Sequence, residues 1–172
     1  MVANDGYCVR VTASSYVGVR EKGGNNQNFT DRELKNMMAD VGWIPGYAWC
    51  SFFVRAILDA CDIKNTINGW APTAYNRKDV IFTDNKFYKK FSPGDVLVMT
   101  LSYNNFKNSG RFKNIGHTGI VDAIGQRSVR TIEGNTNDAG SRDSRTGRDG
   151  VYTKIRPLNK NIHITRWKKA NG

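Results

Sequence analysis

Cys50, Phe53, Val54, Ile57, Leu58 and Cys61 fall on one helical face and form an unbroken apolar stripe over three turns. A stripe this continuous predicts a buried helix. Pro45-Gly46 marks a turn just upstream, so the helix begins within a residue or two of Trp49, and Cys50 lies in its first turn. Two further helices are predicted before it. Residues 12–22 read as one that stops at Gly23-Gly24, and Thr30-Asp-Arg-Glu33 reads as a capping box opening the other, with Leu34, Met37, Met38 and Val41 at helical spacing.

Downstream the period changes. After a loop rich in Asn, Gly and Pro, the turn Ser92-Pro-Gly-Asp95 leads into 96–101, a short β-branched run that reads as a buried strand. Residues 117–124 and 129–133 read as an antiparallel hairpin turning at Gly125-Gln126, and 151–156 and 162–167 supply two more strands. Residues 103–115 and 138–150 read as polar loops. The expected architecture is α+β, with amino-terminal helices packed on an antiparallel sheet of about four to six strands, in a single domain over 1–172.

Composition narrows the function classes. With 39% hydrophobic, 11% aromatic and 24% charged residues the chain is neither disordered nor fibrous, and no stretch approaches the roughly 20 apolar residues of a membrane span. The 26 Lys and Arg against 15 Asp and Glu leave a formal net charge of +11, which favours polyanionic partners. No nucleic-acid-reading module accompanies the charge, so specific nucleic-acid binding is not expected. The amino terminus lacks the basic and apolar regions of a secretory signal, so the expectation is synthesis in the cytoplasm and delivery by another route. Three cysteines cannot all pair within one chain, and no metal-ligand spacing accompanies His117 and His163. Neither a disulfide framework nor a zinc site is therefore expected, and Cys8 and Cys61 read as packing thiols.

Cys50 differs from the other two cysteines. A thiol in the first turn of a helix feels the positive end of the macrodipole, which stabilises thiolate over thiol and lowers a pKa of about 8.5. A thiol nucleophile needs a base that holds a proton and returns it to the leaving amine. His117, flanked by Gly116 and Thr118-Gly119, opens a strand with room for a cleft, whereas His163 lies in a short strand near the basic carboxyl terminus. The open ends of the predicted hairpin bring His117 near Glu133 and Asn135, and either could orient the imidazole.

The segments Gly46-Tyr-Ala-Trp-Cys50-Ser-Phe-Phe-Val, Pro93-Gly-Asp-Val, Gly116-His-Thr-Gly-Ile-Val121 and Thr131-Ile-Glu-Gly-Asn-Thr-Asn137, in that order, resemble the CHAP family of peptidoglycan amidohydrolases within the papain-like NlpC/P60 group. The resemblance implies a nucleophile at Cys50, a base at His117, Glu133 as its orienting group and Asn135 as a further polar active-site residue. It implies cleavage of an amide bond in or next to the peptidoglycan stem peptide, by a monomer that needs no cofactor. Anionic wall polymers are an expected secondary partner. Some CHAP domains carry an acidic calcium loop before the cysteine, but residues 41–49 contain no carboxylate, so no metal is expected. Trp43, Tyr47 and Trp49 cluster before the nucleophile and are candidate substrate contacts. The competing readings are a non-catalytic wall-binding module of the same fold and a related thiol hydrolase acting on another amide.

Overall fold

The computed structural model describes residues 5–100, 115–136 and 149–169. Three helices, α1 (Asp5–Ser15), α2 (Arg32–Asp40) and α3 (Cys50–Ala60), precede a short 3-10 helix, Ala71–Ala74. Strands β1 (Glu21–Lys22) and β2 (Asn28–Phe29) pair with each other. The main sheet contains β3 (Val80–Thr83), β4 (Lys86–Phe87), β5 (Val96–Thr100), β6 (Ile115–Ile124), β7 (Ser128–Thr136), β8 (Gly150–Pro157) and β9 (Ile162–Thr165). Their order is β4-β3-β9-β5-β6-β7-β8, with every neighbouring pair antiparallel. Among the described residues, no helix is long and apolar enough to cross a membrane.

The sheet separates two cores. Val96, Val98, Ile120 and Ile132 face the helices, while Leu97, Val121, Val129 and Ile164 belong to a second cluster closed by Ile81, Phe82 and Phe91. Helix α3 is the hub of the first. Its Phe53, Ile57 and Leu58 are fully buried, each burial stabilising by about 1.5 to 3 kcal/mol. The predicted stripe is thus the surface that seats α3 on β6 and β7.

Four expectations change in detail. The first helix spans Asp5–Ser15 rather than 12–22. Residues 16–20 are drawn into sheet-like bonding, since Gly18 N–H donates to Val151 O and Val151 N–H to Val19 O, and Gly18 takes a left-handed φ of 100°. The cap of α2 is Asp31, whose carboxylate accepts from Leu34 N–H at 2.7 Å, because the Thr30 hydroxyl is engaged by Arg20 N–H. Among the described residues the sheet has seven strands, against the expected four to six. The additional hairpin, β3–β4, turns on Asp84-Asn85 with both φ positive, the backbone of a type I′ turn. The expected loops over 103–114 and 138–148 lie outside the described residues.

The fourth correction concerns sulfur. Cys8 of α1 and Cys61 at the end of α3 form a disulfide, with Cα atoms 5.9 Å apart, and Cys50 is the one free cysteine. An odd cysteine count excludes complete pairing but not a single pair, and the packing of α1 against α3 brings these two together. The bond closes a sequence separation of 53, for which chain entropy gives about 4 kcal/mol of stabilisation within a usual range of roughly 2 to 5. A Cys8→Ser, Cys61→Ser double variant should therefore melt roughly 5 to 15 °C lower by differential scanning calorimetry while keeping its native circular dichroism at 25 °C. An unchanged melting temperature would show that the crosslink constrains nothing.

Candidate active site

The Cys50 position is built from both ends. Helix α3 starts at Cys50 with Trp49 as its N-cap, and the Trp49 N–H donates to Asn135 Oδ1 at 2.7 Å, which anchors the head of the helix to the end of β7. The Trp49 ring is fully buried between Phe29 and Phe53, and its Nε1–H donates to Glu21 Oε1 at 2.6 Å. Gly134 allows this approach. A Cβ there would lie 2.5 Å from the Trp49 ring and 2.9 Å from Phe53, so α3 sits against β7 only because that position carries no side chain.

The Ser51 hydroxyl lies 4.0 Å from the Cys50 sulfur, and the His117 side chain and Thr118 backbone also act on the thiol. His117 comes from β6 and Glu133 from β7, and His117 Nε2 lies 2.9 Å from Glu133 Oε2. An ionised carboxylate only accepts, so Nε2 carries the proton and Nδ1 is left for the sulfur. Gly119, opposite Glu133, makes room for the carboxylate arm, since a Cβ there would lie 2.6 Å from Glu133 Cγ. Glu133 is 0% exposed and also accepts from Thr131 Oγ1 at 2.6 Å and from Arg156, whose Nε reaches Oε1 at 2.8 Å while Nη2 reaches Oε2.

These contacts set the charges. Burial alone would push the thiol up, but the hydrogen bond and positive charge of His117, helped by Ser51 and Thr118, outweigh it and leave Cys50 below its ordinary value. Burial would push the imidazole down, yet the Glu133 charge and the thiol contact raise His117 to about 10. Glu133 is driven well below the ordinary carboxylate range despite its burial, by Arg156 and His117. The imidazolium and the carboxylate behind it therefore both act to favour ionisation of the thiol against its burial.

The structure brings together Cys50, His117 and Glu133. Asn135 lies beside them at the head of α3 but not on the imidazole: its amide accepts from Trp49 N–H on one side and donates to Asn26 and Asp149 on the other, with φ at +56°. It holds the start of α3, and Glu133 is the group on the imidazole. Two of the aromatic candidates are corrected. Trp49 is 0% and Trp43 2% exposed, the latter donating Nε1–H to Tyr47 O, so neither presents a face to a ligand, whereas Tyr47 is 55% exposed. His163 is buried on β9, where Nδ1 pairs with Thr83 Oγ1 at 2.7 Å and burial lowers it to about 4. Among the described residues, no group of three or more His, Cys, Asp or Glu could hold a metal. Sequence reading missed Arg156 and Thr131. Arg156 is 23 positions beyond Glu133 on another strand, and no local pattern links the two; Thr131 alternates with Glu133 on β7 but carried no signal as a carboxylate donor.

An α+β protein with a free thiol at a helix head beside a buried imidazole and carboxylate falls in the class of cysteine-dependent hydrolases. Residues 42–135 match the CHAP domain family, and the chain belongs to it. The matched stretch begins just before the Trp43 loop and ends at Asn135, so it contains Cys50, His117 and Glu133 but neither α1 nor Arg156. No curated protein and no solved structure matches the chain.

Proposed function

We propose that the protein is a peptidoglycan hydrolase that cleaves an amide bond in or next to the stem peptide, as an amidase or endopeptidase, by thiol catalysis on a papain-like NlpC/P60 scaffold. The observation that supports this reading is the His117–Glu133 hydrogen bond of 2.9 Å beside a free thiol at the head of α3, whose proton affinity the imidazole lowers. The Cys50 thiolate attacks the carbonyl carbon of the scissile amide. A C–S bond forms, and negative charge moves to the carbonyl oxygen. The first N–H groups of α3 lack intrahelical acceptors, and that of Cys50 is the natural donor to this oxyanion, a contact of about 3 to 4 kcal/mol per donor in comparable sites. As the C–N bond breaks, His117 gives its proton to the departing amine, leaving a thioester on Cys50. His117, now neutral, takes a proton from water, whose oxygen attacks the thioester and releases the carboxylic acid and the thiolate.

Tyr47, exposed on the loop before Cys50, is the substrate contact that remains from the aromatic cluster. The net charge of +11 supports adsorption to anionic wall polymers, weakening with salt. The Cys8–Cys61 disulfide fits action in an oxidising location outside the cytoplasm. The test is mass spectrometry of fragments released from sacculi of defined chemistry. New amino termini or free lactyl carboxylates that appear only with the intact protein, and not with Cys50→Ala, identify the cleaved bond. Unchanged sacculi across wall types would refute the assignment.

The pH profile follows from the same charges. The imidazolium is lost as pH rises through about 10, and the thiolate is lost on the acid side below the depressed thiol value. Initial rates of turbidity loss should fall on the acid side as the thiol is protonated and decline above about pH 10. A rate still climbing at pH 11 would contradict the assignment of His117 as the acid. Stability carries a related signature. The raised His117 contributes stability that is fully present below its ordinary 6.5 and lost through about 10. The depressed Glu133 contributes stability that is present above its ordinary 4.5 and lost as pH falls through its lower folded value.

A further inference from the structure

We infer that Arg156 is a positioning residue of the thiol site: its guanidinium fork fixes the plane of the Glu133 carboxylate and keeps that carboxylate charged while His117 gains and loses its proton. The inference rests on the reading of Cys50 as the working thiol and deepens it. Arg156 lies on β8 opposite Val129, two pairs along the register from the Thr131–Lys154 rung and four from the Glu133–Tyr152 rung, and its side chain runs back along β7 to reach Glu133. Nε binds Oε1 at 2.8 Å and Nη2 binds Oε2, the oxygen that also faces His117 Nε2. Together with Thr131 Oγ1, these donors engage both carboxylate oxygens, so the oxygen facing the imidazole has a fixed direction.

The need for Arg156 comes from the reaction cycle. Glu133 is wholly buried, and an ionised carboxylate there is strongly penalised unless a cation answers it. His117 is that cation only while it is protonated. Once its proton has gone to the leaving amine, a carboxylate with no other partner would take up a proton and release the imidazole from its tautomer. Arg156 does not titrate in the working range, so it holds Glu133 ionised through both half-reactions. A lysine supplies the charge but not the planar fork. Removing the positive charge raises the proton affinity of Glu133; a protonated Glu133 no longer sustains the imidazolium, and the thiol loses the cation that favours its ionised form.

The test uses the full chain and alkylation by iodoacetamide, which reports on Cys50 alone because the other two cysteines are joined. Alkylation rate against pH gives the midpoint of thiolate formation without any wall substrate. Arg156→Gln should move that midpoint up by about one pH unit, a tenfold loss of thiolate at a fixed pH on the acid limb. Arg156→Lys should keep the midpoint within a few tenths of a unit and lower kcat on the cleaved substrate about tenfold at unchanged KM. A purely structural arginine would instead lower the melting temperature and leave the midpoint in place. A folded Arg156→Gln with an unmoved midpoint overturns the inference, as does a lysine variant that shifts as far as the glutamine one. If the glutamine variant does not fold, wild-type kcat in Arg156→Lys overturns it. Absence of wall cleavage by the wild type would remove the proposed substrate but leave the alkylation result standing.

Discussion

Cys50→Ala is expected to abolish release of wall fragments, a loss on the order of 10⁴-fold or more, because no other group in the site can form the acyl intermediate. The fold should survive. The substitution removes a sulfur at the first position of α3 and leaves the Asn135 anchor on Trp49 and the apolar stripe beneath it untouched. The comparison is Cys61→Ser, which breaks the disulfide, lowers stability and leaves the thiol site intact. Fragment release at wild-type rate by Cys50→Ala would mean that the sulfur takes no part in the reaction. A parallel loss in Cys61→Ser at 25 °C, with native circular dichroism, would mean that the disulfide matters to catalysis as well as to stability.

Glu133→Gln should have the next largest effect, roughly 10²- to 10⁴-fold in kcat, together with a loss of about 3 to 5 kcal/mol in stability from breaking a buried charge network. Glutamine has one acceptor oxygen where Glu133 uses two. Its amide must turn toward Arg156 or toward His117, and at either place it sets donor against donor. Turned toward the imidazole, it strips the proton from Nε2 and places it on Nδ1, the nitrogen needed to accept from the thiol. Steady-state kinetics and urea melts on the same preparation separate the two consequences. A variant with full kcat but reduced stability would make Glu133 a structural partner of Arg156 alone.

Much of this site was legible in the sequence where the signal was local. The stripe from Cys50 to Cys61 fixes both the helix and the burial of its face, and the small residues around His117 mark the opening of a strand. The hairpin turn at Gly125-Gln126 brings Glu133 across from Gly119, so the His117–Glu133 pair follows from strand alternation. What escaped depended on contacts between distant segments. Arg156 reaches Glu133 only because β8 lies beside β7, and Cys8 meets Cys61 only because α1 packs against the far end of α3. Asn135 reads from the sequence as a further polar residue of the site, and in the structure it binds the head of α3 rather than the imidazole. An amide two residues beyond the carboxylate alternates onto the same side in a regular strand, yet the positive φ at Asn135 and the register shift at the end of β7 turn it toward Trp49. Trp43 and Trp49 show the limit of composition. Aromatic residues beside a nucleophile suggest a platform, but the close approach of α3 to β7 at Gly134 and the seat between Phe29 and Phe53 make Trp49 interior.

With Cys8 and Cys61 already joined, the chain has no second thiol to capture a sulfenic acid formed at Cys50. Peroxide damage therefore lands on the reactive sulfur without a resolving partner inside the molecule, and only a small-molecule reductant from the surroundings can reverse it before it advances to the sulfinic stage.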